Sequence, residues 1–316
     1  MSTLSFQTSA IAITQIFAMG AVGYFLVRRK VMNEDGLKLL AFLTVNILFP
    51  LFIFVQIILH FDPSRMPFWW GYPLINMALI AAGMAATAIV FGFSRRRPPD
   101  EFLAASSLHN AGFIPLLMAM ALPLGAAAGK VYAAVIMSII GFDLCLWSLG
   151  VWLLTRRDRP RMELKNMFNP PLLSMLAAII IVLAGGQGFF TETLLKPVGI
   201  MGDSAMGIAM LTIGGNLAMT DFIRIRPRPV TGVVLIKLVL VPMFALTALL
   251  FLRLGPIMSF VVMLQACMPT SVTLSIIGRH YGTKNQEFIN QGIFFTHLLC
   301  VVTLPVFLGL YGKWVH

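Results

Sequence analysis

The chain has 316 residues, of which 59% are hydrophobic and only 11% charged, with a mean hydropathy of +0.89. A soluble globule needs about twice that charge for its surface, so the composition excludes one and places the chain in a lipid bilayer. The net charge of +11 would suit nucleic acid, but the basic residues fall in alternate loops, which assigns them to topology and leaves no nucleic-acid partner expected.

A membrane-crossing helix takes roughly 20 mainly apolar residues, and ten such blocks follow one another along the chain. They cover 9–27, 36–59, 68–93, 101–124, 131–154, 170–190, 199–219, 229–251, 255–279 and 286–311. Span 1 has no basic residue before it and Arg28, Arg29 and Lys30 directly after it, which predicts an uncleaved helix with its N-terminus outside. Span 2 carries Asn46 in "LTVNILFP". Span 3 opens on "MPFWWGY" (66–72), read as an interfacial aromatic belt. Span 4 holds "HNAGFIP", with His109, Asn110 and Pro115 inside an otherwise apolar run, and span 5 holds Asp143 in "IIGFDLCLW". A basic, proline-bearing stretch, 156–169, follows as a cytoplasmic linker. Span 7 carries Asn216 in "IGGNLA", span 8 Lys237, span 9 "QACMPTS" with Gln265, Pro269, Thr270 and Ser271, and span 10 His297. Cys145, Cys267 and Cys300 lie within spans without CxxC spacing and read as buried free thiols.

Sixteen of the 23 Lys and Arg residues fall in the loops after spans 1, 3, 5, 7 and 9, while the opposite side holds Arg65, Lys130, Lys196, Arg253 and Lys313. That asymmetry makes the first set cytoplasmic and puts both termini on the non-cytoplasmic side of the cell membrane. The linker divides the chain into two five-helix units, 1–155 and 170–316. Because five is odd, duplicated units must enter the membrane from opposite sides, as an inverted repeat. Pro115 and Pro269, each amid polar residues in the fourth span of its unit, lie 154 residues apart, close to half the chain. Proline removes a backbone donor and clashes with the preceding turn, so span 4 is expected to break between Asn110 and Pro115, and span 9 at its own proline. Freed backbone groups cost several kcal/mol each in hydrocarbon unless satisfied. Two breaks near the midplane can satisfy one another, and half-helix N-termini pointing into the gap favour an anion.

"HNAGFIPLLMAMALPLG" (109–125), "LTIGGNLA" (211–218), "IKLVLVPMFAL" (236–246) and "QACMPTSVTLSIIGRHYG" (265–282) together resemble the auxin efflux carrier family of membrane permeases. That family includes plant auxin exporters and bacterial carriers of malonate, malate and similar acids. The resemblance covers nearly the whole chain and implies an all-α membrane protein of ten helices in two inverted five-helix repeats, similar to sodium/bile-acid symporters, with helices 4 and 9 broken and crossing. It implies a scaffold of helices 1, 2, 6 and 7, a moving part of helices 3–5 and 8–10, and homodimers through the scaffold. Asn110 matches the family's substrate-binding asparagine, and Pro115 and Pro269 match its crossover prolines. No long cytoplasmic loop like that of the plant exporters is present, which points to the bacterial type.

Asp143 is the acidic residue deepest in a span, at a cost of roughly 2.5–3.5 kcal/mol at the helix centre; it either binds a coupling proton or sodium ion or is a structural carboxyl. His109 could carry a proton or contact an acid, or could be a hydrogen-bonded packing residue. Gln265, Thr270 and Ser271 cluster with Asn110 at the breaks and are candidate substrate ligands rather than ordinary helix-packing groups. Asn46 and Asn216 either face the substrate from the scaffold or pack. Lys237, about eight residues into span 8, is expected to snorkel to the cytoplasmic interface, and His297 to bond between helices. No Walker A loop, HExxH or Gly-x-Ser-x-Gly elbow is present, so an enzyme is not expected, and no cofactor beyond coupling H+ or Na+. The function these features predict is secondary transport of small organic anions by alternating access, the alternative being a non-transporting membrane receptor for an organic acid.

Overall fold

A computed structural model describes residues 6–66, 68–93, 97–156, 168–219, 226–281, 283 and 285–315. Most of the expected linker and the basic positions Arg95, Arg96, Arg157, Arg159, Arg161, Lys165, Arg224 and Lys284 lie outside them. The described residues are almost wholly helical and contain no strand. In chain order the helices are α1 (Phe6–Arg28), α2 (Glu34–Leu43), α3 (Phe49–His60), α4 (Gly71–Phe93), α5 (Asp100–Ser107), α6 (Phe113–Ala121), α7 (Ala128–Cys145) and α8 (Val151–Thr155). Then come α9 (Pro170–Leu183), α10 (Glu192–Ala218), α11 (Pro227–Leu235), α12 (Val241–Phe251), α13 (Pro256–Ala266), α14 (Thr273–Tyr281) and α15 (Gln286–Trp314). Three π-turns, Thr44–Leu48, Leu146–Gly150 and Ile236–Leu240, join α2 to α3, α7 to α8 and α11 to α12 into continuous rods. Pro50 and Pro242 lie just beyond two of them. Each ring removes a donor the preceding turn would have used, and a wider turn accommodates the loss.

Seven of these rods are long and apolar enough to cross a membrane, which makes the chain a multi-pass membrane protein. They coincide with spans 1, 2, 3, 5, 7, 8 and 10. The other three expected spans are divided or short. Span 4 is split into α5 and α6, span 9 into α13 and α14, and span 6 stops at Leu183 instead of continuing to 190. Gly185, at φ 72°, ends it in the left-handed conformation that glycine adopts without strain, and a 3-10 turn over Gly186–Phe189 follows. Fourteen residues of α9 rise only about 21 Å, short of a typical hydrocarbon core.

Packing separates the helices into two sets. The rods α1, α2–α3, α9 and α10 pack mainly on one another, while α4, α7–α8, α11–α12, α15 and the two divided helices form the other set. α1 and α10 approach so closely that a side chain on Gly214 would lie 1.8 Å from the Gly20 carbonyl oxygen, and one on Gly23 would lie 2.0 Å from that of Leu211. Backbone contact of this kind replaces the hydrophobic drive that lipid cannot supply between apolar helices.

Gly214→Val must push α10 off α1 and is expected to lower the melting temperature of the detergent-purified protein by about 3 °C or more. Gly207→Ala, where an added side chain meets open space, should leave it unchanged; equal melting of both variants would show that the close contact is not required.

Candidate functional site

The two interruptions meet. Asn110 N–H donates to the Pro269 carbonyl at 2.8 Å, and Ser271 N–H donates to the Leu108 carbonyl at 3.0 Å, which makes His109 and Thr270 an isolated antiparallel bridge between the segments. The break in span 4 covers Leu108–Gly112, slightly before the expected position, and Pro115 stands third in α6. The first turn of a helix has N–H groups without intrahelical partners, so proline costs least there. Pro269 lies in the second gap itself, where its missing donor leaves nothing to satisfy and its carbonyl accepts from Asn110.

Side chains complete the crossing. Thr270 Oγ1 donates to the Ala105 carbonyl at 2.8 Å, and Thr296 Oγ1 of α15 accepts from the Thr270 N–H at 3.2 Å. Gln265 Nε2 donates to the Ala111 carbonyl and to Ser138 Oγ, both at 3.0 Å. His109 is fully buried, with Nε2 3.0 Å from Asn76 Oδ1. Because Asn76 Nδ2 donates to the Ser138 carbonyl at 2.8 Å, its Oδ1 is left to accept, and the histidine hydrogen belongs on Nε2. Four buried polar atoms here have no hydrogen-bond partner among the described residues: His109 Nδ1, Asn110 Nδ2, Gln265 Oε1 and Ser107 Oγ.

Other expected site residues lie elsewhere. Asn46, half-buried, donates from Nδ2 to the Phe42 carbonyl of its own helix at 2.9 Å, and Asn216 stands near the end of α10. Both line a cleft of about 530 Å³ that also touches Glu34, Lys38, Trp147, Asn169 and Ser275. Adjoining it is a void of about 30 Å³ lined by Phe113 and Thr273, the first residues of α6 and α14, with Thr44, Thr212 and Asn216. At the other end of the molecule a second cavity, of about 470 Å³, is polar and lined by His60, Asp62, Arg65, Lys130 and Gln187. Asp143 is 9% exposed and has no hydrogen bond or ion pair from its side chain to any described residue. It lies one turn before Trp147, a cleft residue, on the same face of its rod.

Two expectations are corrected. Lys237 does not snorkel to an interface: it is wholly buried, and its ammonium donates to the Ser107 carbonyl at 3.1 Å, at the break in span 4. His297 does not bond between helices: Nδ1 lies 2.8 Å from the Ile293 carbonyl of its own helix, and its ring packs against Phe17 of α1. Sequence reasoning missed Asn76, Ser138 and Thr296. Asn76 had a usable signal, as a lone amide in the middle of an apolar helix; Ser138 and Thr296 bond within their own helices as such residues commonly do.

Comparison with known proteins gives two matches. A family model described as membrane transport protein matches residues 8–163 and 154–308. A protein named as an uncharacterized transporter from Methanothermobacter thermautotrophicus is similar, at 22% identity over 308 residues, covering 95% of this chain and 98% of the relative.

Gln265→Leu strips Ala111 of its donor in a dry site. The expected cost is about 1–3 kcal/mol, read as a lower melting temperature at unchanged helix content; unchanged melting would show that this bridge does not hold the crossing.

Proposed function

The chain belongs to the membrane transport protein family, and on that premise we propose that it is a secondary carrier of small organic anions, a mono- or dicarboxylate, working by alternating access. One observation carries the reading. The N-terminal ends of α6 and α14 border the same void between the crossing and the α2–α3 and α10 rods, and that void adjoins the large cleft. Helix N-termini carry partial positive charge and unsatisfied N–H groups, so two of them converging on one space favour a carboxylate. The unpartnered Asn110 amide adds a donor at the crossing, and Gln265, Thr270 and Ser271 hold the two segments together there.

In this reading the basic loops are cytoplasmic, the chain lies in the cell membrane with both termini outside, and the 530 Å³ cleft is the cytoplasmic vestibule. The ten spans form two inverted repeats. Spans 1, 2, 6 and 7 form the fixed scaffold, through which two copies pair, and spans 3–5 and 8–10 form the part that moves. The short connections support a microbial carrier. Asp143, unpaired one turn before the cleft residue Trp147, takes the coupling proton or sodium ion, because a lone carboxylate at that depth needs a cation or a proton.

Purified protein in vesicles is expected to take up labelled carboxylates with saturable kinetics, and Asn110→Ala to lower initial flux at least tenfold while the protein stays monodisperse. Saturable binding of an acid without flux would favour the receptor reading, and neither binding nor flux across a broad panel of acids would defeat both.

Asp143→Asn removes the coupling site and is expected to keep downhill exchange while abolishing accumulation against a gradient. Undiminished uphill transport by that variant would take the coupling role away from Asp143.

A further inference from the structure

The proposed carrier leaves one charged group unused. Lys237 sits on the π-turn Ile236–Leu240, 0% exposed, and reaches 130 residues back along the chain to the end of α5. The carbonyls there are unsatisfied within the helix and need partners where water is absent. Four of the carbonyls at the break have partners among the described residues. Leu108 N–H donates to the Ala104 carbonyl at 2.9 Å, Thr270 Oγ1 to that of Ala105 at 2.8 Å, and Ser271 N–H to that of Leu108 at 3.0 Å. The Ser107 carbonyl takes the ammonium at 3.1 Å.

A neutral amide or hydroxyl would have met the hydrogen-bonding need, as it does at Ala105. Burying an ammonium is far more costly unless its charge is used. No carboxylate lies within 4 Å of it among the described residues. What it meets is the carbonyl end of a helix whose first turn already carries Asp100 and Glu101, so both poles of α5 face the complementary charge. Beside it, Ser107 Oγ is buried without a partner, a free oxygen next to the occupied carbonyl.

We infer that Lys237 is a tethered cation: it does at the carbonyl end of α5 what a bound alkali-metal ion would do, leaving the N-terminal ends of α6 and α14 for the transported anion. Truncating it vacates a cation site framed by the Ser107 carbonyl and hydroxyl oxygens. The flux part of the test rests on the carrier reading; the melting part does not.

Lys237→Ala and wild-type protein are melted in detergent against rising ethylammonium chloride or sodium chloride, with choline chloride holding ionic strength constant. By mass action the variant is expected to gain about 3 °C or more with ethylammonium or sodium, while the wild type does not respond. A variant that responds no more than the wild type overturns the inference, and so does a wild type that itself needs sodium to reach full stability. Should Lys237→Ala not fold, the decision passes to Lys237→Gln, which keeps a donor for the Ser107 carbonyl and removes only the charge. Flux more than threefold below wild type is then expected, and flux within threefold overturns the inference. A cation response in Lys237→Ala together with no anion flux in the wild type would keep the tethered cation and sink the carrier reading instead.

Discussion

The whole arrangement depends on two interrupted helices satisfying each other's backbone where no water can. An unbonded amide or carbonyl in hydrocarbon costs several kcal/mol, so a single broken helix in this position would be untenable. The Asn110 to Pro269 and Ser271 to Leu108 bonds turn two liabilities into one short antiparallel pairing. The prolines fit that requirement. Pro269 contributes an acceptor and, having no N–H, demands none for itself, and Pro115 removes one orphan N–H from the first turn of α6. Gln265 and Thr270 then reach across to the Ala111 and Ala105 carbonyls, so the crossing is fixed by side chains from one strand of the break to the backbone of the other.

Directional bonds and non-directional contacts are divided between the two sets of helices. The bonds from Asn76, His109, Ser138, Lys237, Gln265 and Thr270 tie α4, α5, α7, α13 and α15 and the α11–α12 rod to one another, and the Asp100 carboxylate pairs with Arg156 beyond α8. Ser174 Oγ donates to the Pro50 carbonyl within the other set. Between the sets, the Phe49 and Phe113 rings meet at 4.8 Å and Phe17 packs on His297. Aromatic and aliphatic contacts can be remade after a displacement at little cost, whereas a lattice of buried hydrogen bonds cannot. The division supports motion of one set past the other, as alternating access requires.

Much of this was legible in the sequence. Apolar length located every long helix, because a bilayer imposes a fixed span on each. The breaks showed because proline and a polar cluster inside a greasy run have few other uses. Span 6 was overextended, since "GGQGFF" (185–190) reads as small and apolar while Gly185 ends the helix through its backbone alone. Lys237 was misplaced for a different reason. Its distance from the interface permits snorkelling, and nothing local reveals that Ser107, 130 residues earlier, offers a carbonyl end to meet it. Asn76, Ser138 and Thr296 were illegible as a set because their roles arise from neighbours brought together only by the fold.

That distinction bears on how the crossing treats charge. A half-helix has a positive and a negative pole, and breaking two helices at one depth brings opposite poles within a few residues of each other. At α5 the negative pole is answered from inside the chain by a lysine, so it places no demand on the solution. The positive poles of α6 and α14 are answered by no acidic side chain among the residues lining their void, and that void adjoins a cleft wide enough for a small acid. In the proposed reading the chain neutralises the carbonyl end of α5 permanently and leaves the N-terminal ends of α6 and α14 to an arriving anion. An asymmetry of that kind suits a carrier, which must hold its own structure together while the site is empty and still gain by filling it.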